Sequence, residues 1–284
     1  MKTISVALCS AMLVSVGASG VARAQLDMAA EHSVVYGHHH LNVSSVTEHQ
    51  RLWVEVLGGT PMSFGPNAVV KFPNVLVFMR EQAPTGGSKG TTVNHIGFSV
   101  PNLRATLDRV AAAGFPVVTR EELPASMPVM NDMAHIAAGD FSIAFIMAPD
   151  GVKIELVEDR SQQLSIDLHH VHLAAQAPEE VRDWYVATFG ASAGRSGNFH
   201  TAELPGVTLS FLPSAEPLAG TQGRSLDHIG FEIDSLKAFT DMLASQDVVF
   251  DRPYTEIPDR GLALAYFTDP WGTYIELTEG LDGL

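Results

Sequence analysis

One short phrase, a histidine set just ahead of alternating apolar residues, occurs four times in this chain and limits what it can fold into. It reads His38-His39-His40-Leu41-Asn42-Val43, His95-Ile96-Gly97-Phe98-Ser99-Val100, His170-Val171-His172-Leu173-Ala174-Ala175 and His228-Ile229-Gly230-Phe231-Glu232-Ile233. In an extended strand successive side chains point to opposite faces. Ile96, Phe98 and Val100, like Ile229, Phe231 and Ile233, therefore share an apolar face, and the leading histidines point from the other. Two of the phrases are answered downstream by strands in which Glu155 and Glu276 alternate with apolar neighbours, Val152 to Val157 and Thr273 to Leu277.

These phrases are copies of one another at a nearly fixed spacing. His95 and His228 are 133 residues apart, and His38 and His170 are 132 apart. The spacing falls to 121 between Pro149-Asp150-Gly151 and Pro270-Trp271-Gly272, which places a deletion in the last quarter. The economical expectation is two halves, 36–159 and 168–280, each made of two shorter modules. Within a module a strand is followed by an amphipathic helix and then several short strands. Val181, Trp184, Tyr185 and Thr188 share one helix face, with Pro178, Glu179 and Glu180 in the first turn and Gly190 at the end. Leu103, Thr106, Leu107 and Val110 repeat the pattern, as do Leu236, Phe239 and Leu243, and Leu52, Trp53 and Val56 before Gly58. The expected class is α+β, four βαβββ modules, with linkers at 83–90, 160–167 and 214–225.

Residues 1–24 have the pattern of an export signal: Lys2, an apolar stretch from Ile4 to Val21, and Ala22-Arg23-Ala24 at a cleavage position. The expectation is an exported protein, periplasmic or secreted, whose mature chain begins at Gln25. The one cysteine, Cys9, falls within that stretch, which excludes disulfides, thiolate catalysis and cysteine-ligated zinc from the mature chain. The formal net charge is −15, and losing Lys2 and Arg23 makes it more negative, so the surface repels nucleic acid and anionic lipid. Past the signal no apolar run approaches the ~20 residues that span a bilayer. The expected partner is a small-molecule substrate, with no nucleic acid and no membrane; a homodimer is left open.

Four modules opening on histidine strands, together with Asn94-His95-Ile96-Gly97-Phe98, Leu226-Asp227-His228-Ile229-Gly230-Phe231 and the two Pro-x-Gly-x-x-Ile-Glu-Leu endings, resemble the vicinal oxygen chelate superfamily of glyoxalase I, bleomycin resistance proteins and extradiol dioxygenases. The resemblance runs from about Tyr36 to Gly280 and implies two glyoxalase-like domains with curved mixed sheets. It also implies a divalent metal on the concave face of each paired sheet. Mapped by halves, the ligands are His38, His95 and Glu155, and His170, His228 and Glu276. Some relatives join module one to module four instead, which gives His38, His228 and Glu276, and His95, Glu155 and His170. The places where glyoxalase I usually carries a fourth protein ligand fall within Phe72 to Met79 and Val207 to Leu212, which hold neither carboxylate nor imidazole.

Two histidines and one carboxylate are the facial donor set of non-haem Fe(II), so the resemblance favours Fe(II), with Mn, Zn or Ni as alternatives. A purely structural role, histidine and glutamate pairing across strands, is the simpler reading for one such strand, and the recurrence of the same three residue types in both halves weighs against it. His40 and His172, two residues beyond presumed ligands, are candidate acid or base groups. Tyr266, ten residues before Glu276, matches a substrate-contacting tyrosine of the extradiol dioxygenases, and Phe145 stands at the corresponding place in the first half. The further histidine of that signature is missing, with Ile257, Pro258 and Asp259 there instead. The expected function is a metal-dependent extradiol-type dioxygenase acting on a catechol-like substrate, with the second half the more active. The alternatives are a glyoxalase-like lyase or isomerase with a redox-inert metal and a non-catalytic small-molecule binder.

Overall fold

In each quarter of the chain the order expected from the repeat forms, as seen in a computed structural model that describes residues 33–284. Residues 1–24, read above as an export signal, lie outside the described residues. Module one contains β1 (Val34–Val43), α1 (Val46–Gln50), β2 (Thr60–Phe64), β3 (Asn67–Lys71) and β4 (Leu76–Glu81). Module two contains β5 (Val93–Val100), α2 (Leu103–Ala112), a short α3 (Thr119–Glu122), β6 (Ala134–Ile136), β7 (Phe141–Met147) and β8 (Lys153–Glu158). Module three contains β9 (Asp167–Ala175), α4 (Pro178–Phe189), β10 (Ser192–Ser196), β11 (Phe199–Leu204) and β12 (Val207–Pro213). Module four contains β13 (Leu226–Ile233), α5 (Leu236–Ser245), β14 (Phe250–Ile257), β15 (Leu262–Thr268) and β16 (Tyr274–Glu279). No helix among the described residues is long and apolar enough to cross a membrane.

The helices begin and end for local reasons. Asn102 caps α2, its side-chain oxygen accepting from the Ala105 N–H at 2.9 Å. Gly190 closes α4 at φ +70°, a left-handed conformation that costs glycine little. After α1 the chain does not continue as an α-helix: Arg51–Val56 winds more widely, with the Leu57 N–H bonded back to the Leu52 carbonyl. That wider turn still buries Leu52, Trp53 and Val56, the apolar positions read from the sequence.

The modules pair across the chain and not within its halves. One eight-stranded sheet runs β14-β15-β16-β13-β1-β4-β3-β2 and the other β10-β11-β12-β9-β5-β8-β7-β6. Module one thus joins module four through antiparallel β1 and β13, and module two joins module three through antiparallel β5 and β9. The contiguous halves 36–159 and 168–280 are therefore not the units of the sheets. What favours this arrangement lies in the two linkers, which run beside each other as ordered structure. The Thr85 N–H bonds to the Gly223 carbonyl, Ser225 to Gly86, Thr92 to Ala219 and Ala219 to Gly90.

The apolar faces of both sheets share one core with the helices. Ile96, Phe98, Ile229 and Phe231 are fully buried in it. Phe189 of α4, from one sheet's modules, stacks on Phe231 of the other sheet at 4.4 Å, and Trp53 of module one lies 6.0 Å from Phe98 of module two. Burying aromatic rings of this size contributes a few kcal/mol each, so the two sheets are tied by their helix layer while their other faces carry the histidines.

Candidate metal centres

The strand registers place the histidines and glutamates before any side chain is considered. Across the first sheet Tyr266, Glu276, Gly230 and His38 are successive cross-strand neighbours on β15, β16, β13 and β1. Across the second, Phe145, Glu155, Gly97 and His170 occupy the same row on β7, β8, β5 and β9. The glycine in each row is a space requirement. A Cβ on Gly230 would stand 2.0 Å from the His38 ring, and one on Gly97 would stand 2.1 Å from the His170 ring. The glycine of each His-Ile-Gly-Phe phrase is where the imidazole of the partner strand lies.

In the first centre His38 Nε2 and His228 Nε2 lie 2.8 and 2.9 Å from the same oxygen of Glu276, Oε2. In the second centre His95 Nε2 lies 2.9 Å from Glu155 Oε2, and His170 Nε2 lies 3.3 Å from that oxygen. The sequence-derived triad His170, His228 and Glu276 is therefore not formed. Its members are divided between two centres, because β9 and β13 lie in different sheets. Donors bound about 2.0–2.2 Å from one ion at right angles stand about 3 Å apart, which is the spacing here. The second centre has a further sign of fit: His170 Nε2 and His172 Nδ1 are buried nitrogens without a hydrogen-bond partner. Both donor sets suit a divalent metal.

The centres differ in what stands opposite the ligand histidines. His172 joins the second cluster, its Nδ1 4.0 Å from Glu155 Oε2, so that centre has four candidate donors. His40 occupies the same strand position in the first sheet but stays outside the donor cluster. Phe78 is its cross-strand neighbour on β4, stacked against it at 5.9 Å and 11°, whereas Ser210 is the neighbour of His172 on β12. Phe78 and Ser210 are the positions related by the repeat to Glu276 and Glu155. A ring fills the fourth place in one centre, and a hydroxyl leaves room in the other.

Electrostatics separates the centres further. Burial works to raise the Glu276 carboxyl, but hydrogen bonds with His228 and His38 hold it well below the usual carboxylate range. Glu155 is likewise held low against burial by the neighbouring His170 and His95 imidazoles. Burial also opposes the charged form of His228, yet hydrogen bonds with Asp227 and Glu276 push it up to about 9. Asp227 Oδ1 accepts from His228 Nδ1 at 2.7 Å, while its other oxygen, Oδ2, accepts from Asn42 Nδ2 and the Gly223 N–H. His95 has neutral Asn94 in that role, and burial pulls it down to about 4. His40 is lowered to about 3, by burial and then by His228.

Tyr266 donates to Glu276 Oε1 at 2.5 Å, and burial followed by the Glu276 charge raises its hydroxyl far above the tyrosine range. It holds the oxygen that the histidines do not use. In the second centre Phe145 offers no such bond. A cavity of about 180 Å³ opens beside the first centre, with His38, His40, Tyr266, Glu276 and Phe78 in its wall and Arg252 and Arg260 at its outer strands.

The remaining histidines of the chain fall elsewhere, with one exception. His39 lies on the helix side with Tyr36 Oη 2.6 Å from its Nδ1, and His49 is held by Trp53 and Asp150. His200 lies with α4 residues, away from both centres, and His135 is exposed; His32 is outside the described residues. The exception is His169, whose Nδ1 lies 2.8 Å from His170 Nδ1, one donating and one accepting. A register shift in β9 at this residue breaks the strict alternation and turns it toward the ligand. The sequence reading also passed over Asp227, Phe78, Arg252 and Arg260. Only Asp227 left a signal, as the acidic residue preceding His228 where Asn94 precedes His95.

Residues 167–277 match the Glyoxalase/Bleomycin resistance protein/Dioxygenase superfamily. The match spans modules three and four, whose element order modules one and two repeat. A curated relative described as "Probable lactoylglutathione lyase" of Vibrio cholerae serotype O1 is 33% identical over 79 residues, covering 28% of this chain. The matched stretch is 49% of that relative, so the chain spans about half the length of the curated relative it matches. The crystal structure of glyoxalase I from Zea mays has TM-score 0.68 at 16% identity, over 90% of this chain and 96% of that one. A "putative dioxygenase" from Bacillus subtilis has TM-score 0.60 at 14% identity, over 87% of this chain and 86% of that one. At such identities these structures show that the two-sheet fold is common to all three, and the donor sets above are this chain's own.

Proposed function

We propose that the chain is an extradiol-type dioxygenase acting on a small catechol-like substrate at His38, His228 and Glu276. The observation that carries this reading is Phe78 in the place of a fourth protein donor. Two imidazoles and one carboxylate on one side of an ion leave adjacent positions for two vicinal substrate oxygens and for dioxygen. Fe(II) is the ion this donor set favours, and when bound it supplies oxygen activation and polarises the substrate oxygens.

The residues around the donors have separable tasks. Tyr266 fixes Glu276 through its free oxygen, and Asp227 fixes the ring orientation of His228. His40 is the one cavity-lining imidazole, among the described residues, that is outside the donor set. Kept neutral by burial and by His228, it is suited to accept a hydrogen bond from a catechol hydroxyl. It replaces in role the histidine missing from the dioxygenase signature, whose place at Ile257 is an apolar part of the cavity wall.

A second reading, a lyase or isomerase with a redox-inert metal, is favoured by the four donors of the second centre and by the curated relative. A closed four-donor set of histidines and a carboxylate suits such an ion. The test is an oxygen electrode with Fe(II)-loaded protein and a panel of catechols. Substrate-dependent uptake supports the dioxygenase. No uptake, with activity on a carbonyl substrate restored by Zn²⁺, Ni²⁺ or Mn²⁺, moves the function to the second reading.

A further inference from the structure

We propose that the cavity beside His38, His228 and Glu276 selects an acid: a small substrate with an apolar body ending in a carboxylate, held by Arg252 and Arg260. The inference deepens the reading above and rests on it for where the substrate's metal-directed oxygens lie.

The cross-strand row that builds the centre does not stop at Tyr266. Arg252 on β14 is the registered neighbour of Tyr266, so the row runs Arg252, Tyr266, Glu276, Gly230, His38 across five strands. Arg260 enters from the turn between β14 and β15 and reaches the opposite edge of the sheet. Its guanidinium carbon lies 5.9 Å from the Phe64 ring centre, and its nitrogens fill the space where a side chain on Gly65 would stand. Both arginines line the cavity. The same wall carries the apolar Phe64, Phe78, Leu262 and Leu264, with Asn67 and Thr278 as uncharged polar members.

The charge balance makes this pair unusual for the molecule. The chain carries a formal net charge of −15, yet neither Arg252 nor Arg260 makes an ion pair among the described residues. Glu276 is the one carboxylate among the lining residues, and His38, His228 and Tyr266 already engage it. The second centre shows the contrast: its nearby cation, Lys153, is neutralised by Glu122 at 3.0 Å. Two guanidiniums lining one cavity, without a carboxylate partner among the described residues, supply the forked donors and the charge that a carboxylate takes. They also give an anionic substrate a local attraction on an otherwise repelling surface.

The test uses the full metal-loaded protein and calorimetry without oxygen, with 3-(3,4-dihydroxyphenyl)propanoate against neutral 4-propylcatechol. The acid is expected to bind about tenfold more tightly in the parent protein. The preference is expected to fall to about one in the Arg252→Gln, Arg260→Gln double variant, with the neutral catechol unaffected. Equal binding of acid and neutral compound in the parent, or a preference that survives in the double variant, overturns the proposal. A second pair, 3-phenylpropanoate and 3-phenylpropanamide, separates this inference from the function it rests on. A charge preference there without catechol turnover overturns the dioxygenase and keeps the acid subsite. Catechol turnover with no charge preference in either pair overturns the acid subsite alone.

Discussion

Gly230 lies directly across from His38 in the antiparallel β1–β13 pair, and the imidazole occupies the space a Cβ on Gly230 would need, 2.0 Å away. The neighbour is a ring on a buried strand, not the end of a flexible chain, so it has little room to give. Gly230→Ala is expected to displace His38 and to cost about 1–3 kcal/mol of stability through overpacking. Elemental analysis of the folded variant is the check: the first centre loses its ion and the second keeps its own. Gly97→Ala is expected to give the reverse, through His170.

The two glutamates separate the centres by function. Glu276→Ala removes the carboxylate on which His38, His228 and Tyr266 converge and is expected to abolish most turnover. Glu155→Ala removes the corresponding ligand of the four-donor centre and is expected to lower metal content with a smaller effect on rate. Equal loss of rate in the two variants would show that the centres work as one.

Tyr266 touches a ligand and is not itself a donor to the ion. Tyr266→Phe should therefore keep its metal and lose about 10–100-fold in rate, the usual cost of removing a group that orients a ligand. Metal content measured beside turnover distinguishes this from loss of the ion.

In the metal-free protein His228 and His95 respond to pH with opposite signs. His228 is raised from 6.5 to about 9, so its contribution to stability is full below pH 6.5 and is lost as pH rises through about 9. His95 is lowered from 6.5 to about 4, so its folded form is favoured above pH 6.5 and penalised as pH falls toward about 4. Denaturant unfolding of chelator-treated protein across this range is expected to show both slopes. Asp227→Asn removes a negative charge that raises His228, and should flatten the alkaline slope while leaving the acidic one.

The residue types of both centres were legible because strand alternation is local. A histidine in phase with Gly97 or Gly230, and a glutamate in phase with apolar neighbours, point to one face wherever the strand is placed. The same rule failed at His169, where a register shift in β9 turned the residue toward His170. Arg252, Arg260 and Phe78 gave no signal, because each matters through a neighbour far away in the chain.

The sequence by itself determined the four modules, the faces of their strands and the presence of two sets of donors. Only the tertiary structure decided which donors meet. Backbone hydrogen bonds between β1 and a partner strand are the same whichever module supplies it, and either pairing completes two triads. The pairing seen goes with long-range contacts: Phe189 of module three on Phe231 of module four, Trp53 of module one near Phe98 of module two, and two linkers bonded to each other. These contacts place His38 beside His228 and His95 beside His170, and they leave Tyr266, Arg252 and the cavity with the first pair alone.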